Sequence, residues 1–148
     1  SIAMADKEIT AISLRKKGNT IVFGCGEFKT NDKTVTYVKC KSELELLEKF
    51  INVWNNPTVK PDIITGWNIE FFDVPYLINR IKRMLGEKSA ARLSPFGFID
   101  ERMIEFKGKT NQTYNIAGIS TLDYYQLYRK FTYHVRMSGQ ASLMGELS

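Results

Sequence analysis

Apolar positions in the first forty residues recur with a period close to two. Glu8 to Leu14 alternates loosely, and Arg15 to Asn19 carries Gly18 and reads as a turn. Thr20 to Phe28 is rich in β-branched and aromatic residues, Asn31-Asp32-Lys33 supplies the next turn, and Thr34 to Cys40 alternates again. Three strands joined by short turns predict an antiparallel meander. The period then lengthens. Ser42, with Glu45 three residues on, forms a capping box that satisfies two exposed backbone donors. Leu44, Leu47, Phe50, Ile51 and Trp54 then lay an apolar stripe along a helix, which Asn55-Asn56-Pro57 stops.

A short apolar strand, Asp62 to Thr65, breaks at Gly66. Pro75 stands where a first helical turn tolerates proline, and Leu77, Ile78, Ile81, Met84 and Leu85 form the apolar face of a second helix ending at Gly86. A shorter helix fits Lys88 to Leu93, before Ser94-Pro95. Phe98 to Gly118 looks like a hairpin, with Arg102 to Phe106 and Thr113 to Ala117 strand-like, turned by Lys107-Gly108-Lys109 with Asn111. Leu122 to Phe131 has helical spacing, with Asp123 as its cap. The order strands, helix, strand, helix, hairpin, helix predicts an α/β domain with a mixed sheet. No repeat, low-complexity stretch or linker divides residues 1–148, so one domain is expected.

Composition narrows the class. The 148 residues are 43% hydrophobic and 25% charged, which excludes a disordered or collagen-like chain. No apolar run approaches the roughly eighteen residues that span a bilayer. Ser1 to Thr10 lacks the basic patch and apolar core of a secretory signal. Cys25 and Cys40 are too few for a disulfide framework and read as reduced thiols in a cytoplasmic protein. Lysine and arginine total 21 against 16 acidic residues, a net charge of +5. That excess permits a polyanionic partner and fits a solvated basic surface equally well. His134 is the single histidine, so neither a catalytic triad nor a histidine-rich metal site can be built. Gly24-x-Gly26 lacks the third glycine and the following helix of a nucleotide fingerprint.

Chemistry concentrates between Thr65 and Tyr76, where a buried strand runs into a helix N-terminus. In open α/β sheets ligands bind at such strand ends. Asp73 is there either as a helix cap or as a site carboxylate. Phe71 and Phe72 are either core plugs or a platform for stacking bases. Trp54 reads as core.

Pro61-Asp62-Ile63-Ile64-Thr65-Gly66-Trp67-Asn68, followed by Phe72-Asp73 and Pro75-Tyr76, closely resembles the second exonuclease motif of family B DNA polymerases. Arg92-Leu93-Ser94-Pro95, Gly118-Ile119-Ser120 and Leu122-Asp123-Tyr124 are similar to the T4-like bacteriophage branch of that family. The resemblance runs over almost all of residues 8 to 133. It implies an RNase H-like 3′-5′ exonuclease fold, a mixed β-sheet flanked by helices plus a β-hairpin, that proofreads newly added nucleotides. In this chemistry two divalent cations, Mg²⁺ or Mn²⁺, about 3.5–4 Å apart, activate a water and stabilise the leaving oxygen. Such hard cations take oxygen ligands from several carboxylates. The resemblance assigns Asp73 as a metal ligand and catalytic residue, and Asn68 and Phe72 as residues that hold the single-stranded 3′ end. It also gives the hairpin a role in separating primer from template, with Lys107 and Lys109 near the tip meeting phosphates.

The chain departs from the family pattern at both ends. The first motif, an Asp-x-Glu pair on an apolar strand, belongs upstream of Glu8 to Leu14. Asp6-Lys7-Glu8 has its spacing, but Lys7 stands where the family has an apolar residue. The third motif, Tyr-x-x-x-Asp, belongs downstream of Leu122 to Phe131. One of four acidic ligands is therefore matched, and the first catalytic strand and the C-terminal helices are expected to be missing. Residues 1–148 read as a single incomplete domain whose tail, residues 137–148, fits the family poorly. The implied partners are the 3′ end of single-stranded DNA and the rest of a polymerase chain, with self-association through an exposed sheet edge and no membrane. The implied compartment is the cytoplasm, that of a bacterial host on the phage reading. The alternative is a non-catalytic RNase H-like module that binds single-stranded nucleic acid or a replication protein.

Overall fold

The computed structural model describes residues 2–66, 69–106, 108–123 and 146–147. Two strands open the fold, β1 (Ala11–Lys16) and β2 (Asn19–Gly24), joined by the two-residue turn Lys17-Gly18. Both turn residues have positive φ, 50° and 81°, the twist that matches flanking antiparallel strands. β3 (Val35–Lys39) lies on the other side of β2 and runs parallel to it, pairing Thr20 with Val35 and Gly24 with Lys39. The expected antiparallel meander is thus corrected. Residues 25–34 travel back along the length of β2 before β3 begins, so the chain re-enters the sheet in the same direction.

Helix α1 (Glu43–Trp54) starts as its sequence dictates, with the Ser42 hydroxyl accepting the Glu45 N–H at 3.3 Å. The Glu45 carboxylate pairs with Lys49 one turn on, at 2.8 Å. The buried stripe is Leu46, Leu47, Phe50, Ile51 and Trp54. Leu44, expected within it, is exposed, because the stripe is rotated so that Glu43 and Leu46 turn inward. Phe50 meets Phe23 of β2 edge to face, with ring centroids 5.9 Å apart. The Trp54 indole donates to the Leu93 carbonyl at 2.9 Å.

Strand β4 (Ile63–Gly66) leads through the π-helical turn η1 (Ile69–Asp73) into α2 (Val74–Leu85), and α3 (Glu87–Ala91) follows. Ile78 and Ile81 of α2 are fully buried and complete the core with Leu93, Tyr114 and Ile116. The hairpin's strands, β5 (Ile99–Phe106) and β6 (Lys109–Ile116), are longer than their sequence suggested and form a two-stranded sheet of their own. β7 (Ser120–Asp123) pairs parallel with β4, Gly66 opposite Asp123. Leu122 is therefore a strand residue, and Asp123 ends a strand where a helix cap was expected. Cross-strand pairing with β4 overrides the short helical spacing. The rest of that expected helix, with His134, lies outside the described residues. Of the 137–148 tail only β8 (Glu146–Leu147) is described.

The main sheet has the order β3-β2-β1-β8-β4-β7 and is mixed, as the sequence predicted. β8 is two residues long, pairing with β1 at Lys16 and with β4 at Ile64 and Thr65. Along the remainder of β1, the space towards β4 is a trough of about 710 Å³. Ala11, Ile12, Ser13 and Leu14 line one wall, Ile64 and Thr65 the other, and Phe50, Trp54 and Ile78 contribute to its surface.

The segment before β1 is held by the polar face of α2. Asn79 donates to the Ile2 carbonyl at 3.1 Å, Arg83 to Met4 at 2.9 Å and Arg80 to Ala5 at 2.8 Å. The Tyr76 hydroxyl accepts the Lys7 N–H at 3.0 Å and donates to the Lys7 carbonyl. Arg80 also makes two bonds to Glu43 of α1, at 2.7 and 2.6 Å, and Glu43 in turn accepts the Ile9 N–H at 2.6 Å. Both side chains of this ion pair are buried, 9% and 6% exposed. Burial raises the Glu43 pKa, but the Arg80 bond, the Ile9 N–H and the Arg80 charge outweigh it and hold the carboxyl below its ordinary range.

Candidate nucleic-acid and metal site at the β4–α2 junction

The chain leaves β4 at Gly66 and re-forms at Ile69 as η1, a five-residue π-helical turn. Such turns are rare and occur frequently at functional sites. Pro75 follows directly, fixing the first turn of α2. Asp73 is itself helical, so η1 runs directly into α2, and this corner of the fold, where β4 gives way to helix, borders the trough. Phe72 and Asp73 stand on it, both exposed and both lining the trough. Phe72 is 53% exposed, so its ring is available as a stacking surface. Asp73 occupies the position before α2, but its side chain makes no capping bond. Its carboxylate therefore does not cap the helix.

Glu70 shapes the corner from within. Its N–H donates to the carboxylate of buried Asp123 at 2.9 Å, and its carbonyl accepts the hydroxyl of buried Thr113 at 3.1 Å. The carboxyls of Glu70 and Asp73 are both pushed above their ordinary range, first by desolvation against the protein and second by Asp123.

Other expected site residues distribute unevenly. Asn68 and Lys107 lie outside the described residues. Lys109 is exposed as the first residue of β6, beside Gly108, whose φ of 72° makes the hairpin turn. The hairpin base is fastened to α2 by Asn79 to Gln112 at 2.6 Å and by the Lys82 ammonium 4.7 Å over the Tyr114 ring. Asp6 lines the same trough as Asp73, whereas Glu8 is exposed and does not. Among the described residues no group of three or more acidic, histidine or cysteine side chains could hold a metal ion. These residues therefore do not by themselves fit a closed two-ion centre. Nor, among the described residues, is any helix long and apolar enough to cross a membrane.

Asp123 and Thr113 were not legible as site residues. Asp123 looked like a cap because a helix was expected to follow it. Thr113 looked like any strand threonine, and nothing in its neighbourhood points to Glu70, forty-three residues away.

Comparison with known proteins bears on this corner. Residues 3–138 match the family described as DNA polymerase family B, exonuclease domain. The chain is 43% identical over 99 residues to the DNA-directed DNA polymerase of Enterobacteria phage T4, covering 67% of this chain and 11% of that protein. It is 42% identical over 99 residues to the DNA-directed DNA polymerase of Escherichia phage RB69, with the same coverage, 67% and 11%. It is also 33% identical over 95 residues to the DNA polymerase catalytic subunit of Elephantid herpesvirus 1, covering 60% of this chain and 8% of that one. The chain thus spans about a tenth of the length of these curated relatives.

Proposed function

The chain belongs to the family B DNA polymerases as an exonuclease domain, and from that premise we propose that its η1 corner receives the 3′ end of single-stranded DNA. The observation that carries this reading is the pairing of an exposed Phe72 ring with the adjacent Asp73 carboxylate at the mouth of the trough. A terminal base stacks on Phe72, worth about 1–3 kcal/mol. The Asn68 amide hydrogen-bonds the same nucleotide, and Lys107 and Lys109 meet phosphates from the hairpin.

On this reading residues 1–148 are a single, incomplete RNase H-like domain within a longer replicative polymerase chain that proofreads its own product. The trough between β1 and β4 is the space of an absent central strand, which the one-strand spacing at β8 supports. The exonuclease domains of this family depend on divalent metal. Mg²⁺ or Mn²⁺ supplies an activated water and charge stabilisation when bound. Among the described residues Asp73 is the ligand matched to the family's motif, and one carboxylate does not complete a two-ion centre. On this reading the isolated chain is expected to bind the 3′ end without cleaving it.

A fluorescence titration with a short labelled oligonucleotide tests the corner. Binding weakens as salt rises, because phosphate contacts release counterions. Phe72→Ala weakens it about fivefold to a hundredfold, the loss of one stacked base. Equal affinity for both proteins, or indifference to salt, removes the corner as the DNA site.

A further inference from the structure

We propose that Asp123 and Thr113 are positioning residues, which hold the Glu70 peptide unit from two sides and so fix where η1 presents Phe72 and Asp73. The inference rests on the DNA reading of that corner and adds to it the parts that set its geometry. β7 runs beside β4 with Asp123 opposite Gly66, the residue at which the chain leaves the sheet. From there the Asp123 carboxylate reaches the Glu70 N–H at 2.9 Å. A π-helical turn, like any helix start, opens with backbone donors that have no partner inside the turn. Asp123 satisfies one of them from a different strand, as a capping residue would from the preceding position.

The other half of the same residue is held from the opposite sheet. Thr113 lies on β6 of the hairpin, is 4% exposed, and donates its hydroxyl to the Glu70 carbonyl at 3.1 Å. The main sheet and the hairpin sheet thus meet at one residue of η1. Next but one along the chain, Phe72 reaches the surface, and Asp73 follows it. Fixing Glu70 fixes the origin from which both side chains are aimed. Thr113 stands four residues from Lys109, about 14 Å along an extended strand. A displacement of the hairpin therefore reaches the Phe72–Asp73 corner through the Thr113 hydroxyl, beside the hold that Gln112 and Tyr114 keep on α2.

The test uses the whole chain and five forms of it: native, Thr113→Val, Thr113→Ser, Asp123→Ala and Asp123→Asn. Amide hydrogen exchange across residues 69–73 is the first readout, because it reports local opening without DNA or metal. Thr113→Val and Asp123→Ala should each speed exchange there about tenfold or more, while α1 and α2 keep native protection. Thr113→Ser restores the donor and Asp123→Asn keeps an acceptor, so both stay within about threefold of native. Native exchange in Thr113→Val, or equal acceleration by valine and serine, overturns the proposal. Should Asp123→Ala unfold the chain, Thr113→Val against Thr113→Ser decides alone.

Oligonucleotide binding is the second readout. Phe72→Ala weakens binding in the native background and has no further effect in Thr113→Val, since a misaimed ring has nothing left to lose. Additive losses overturn the link between the clamp and Phe72. If the native chain binds no oligonucleotide, the DNA reading fails, while hydrogen exchange still decides whether the clamp exists.

Discussion

Replacing Glu43 by alanine should cost this protein more stability than any surface change of similar size. The carboxylate is 6% exposed and serves Arg80 through two bonds and Ile9 through a third. Removing one member of a buried ion pair costs roughly 3–5 kcal/mol, because the other charge stays behind without its partner. Arg80 would keep the Ala5 carbonyl, which softens the loss, whereas the Ile9 N–H would be left without its acceptor, which deepens it. With a urea slope of about 2 kcal/mol/M, the unfolding midpoint should fall by about 2 M. Glu43→Leu combined with Arg80→Met should recover part of the loss, since no charge remains buried, but the Ile9 N–H still lacks its acceptor and the Ala5 carbonyl keeps the longer 3.4 Å bond from Arg83. The pH dependence gives a second measure. The folded pKa of Glu43 lies below its unfolded value, so its contribution is full above about pH 4.3 and disappears as pH falls through the folded value. Glu70 runs the other way: its raised pKa makes a contribution that is present below the unfolded value and lost as pH rises through the folded one. Comparing native and Glu43→Gln proteins at each pH isolates the Glu43 limb, which the glutamine lacks. A loss below about 1 kcal/mol for Glu43→Ala, the level of an exposed pair, would refute the reasoning.

Incubated with single-stranded DNA and Mg²⁺ or Mn²⁺, the isolated chain should release no nucleotides above background, because Asp73 is the one matched ligand where a two-metal centre needs several. Robust 3′ degradation abolished by Asp73→Ala would overturn that and bring Asp6 and Glu8 back as ligands. The β1 and β4 edges facing the trough should promote self-association, so the hydrodynamic size should grow with concentration in the micromolar range or above. A constant monomeric size over that range would count against an open strand position.

Local features were the legible ones. The Ser42 cap, the Pro75 entry into α2, the Gly108 turn, the alternation of β1 and the β-branched, aromatic run of β2 all depend on neighbours within a few residues. The direction of β3 does not, since it follows from the path of residues 25–34 across the sheet. Leu44 and Leu46 compete for one stripe, and the sequence could not tell that a buried charge at Glu43 would rotate the helix to suit Arg80. At the site, a strand end followed by two aromatics and an aspartate drew attention to the corner, and the resemblance to the family's second motif assigned its residues. Its supports were hidden for the same reason as β3: Glu70 meets Asp123 and Thr113 across fifty-three and forty-three residues. Short-range chemistry is written in the sequence, whereas long-range partners exist only once the sheet has formed.

The hold that α2 and Glu43 take on residues 2–9 falls on main-chain atoms: the carbonyls of Ile2, Met4, Ala5 and Lys7, and the amides of Lys7 and Ile9. Every amino acid carries those carbonyls, and all but proline carry the amides. The helix thus dictates a route and leaves the spelling open. A lineage could rewrite most of this arm without moving it. Proline is denied at positions 7 and 9, position 9 must also stay apolar because Ile9 packs against the core, and position 5 must stay small, since Ala5 is 1% exposed with a φ of 44°. Such an arm would look poorly constrained in any comparison of letters while being among the most tightly tethered segments of the fold.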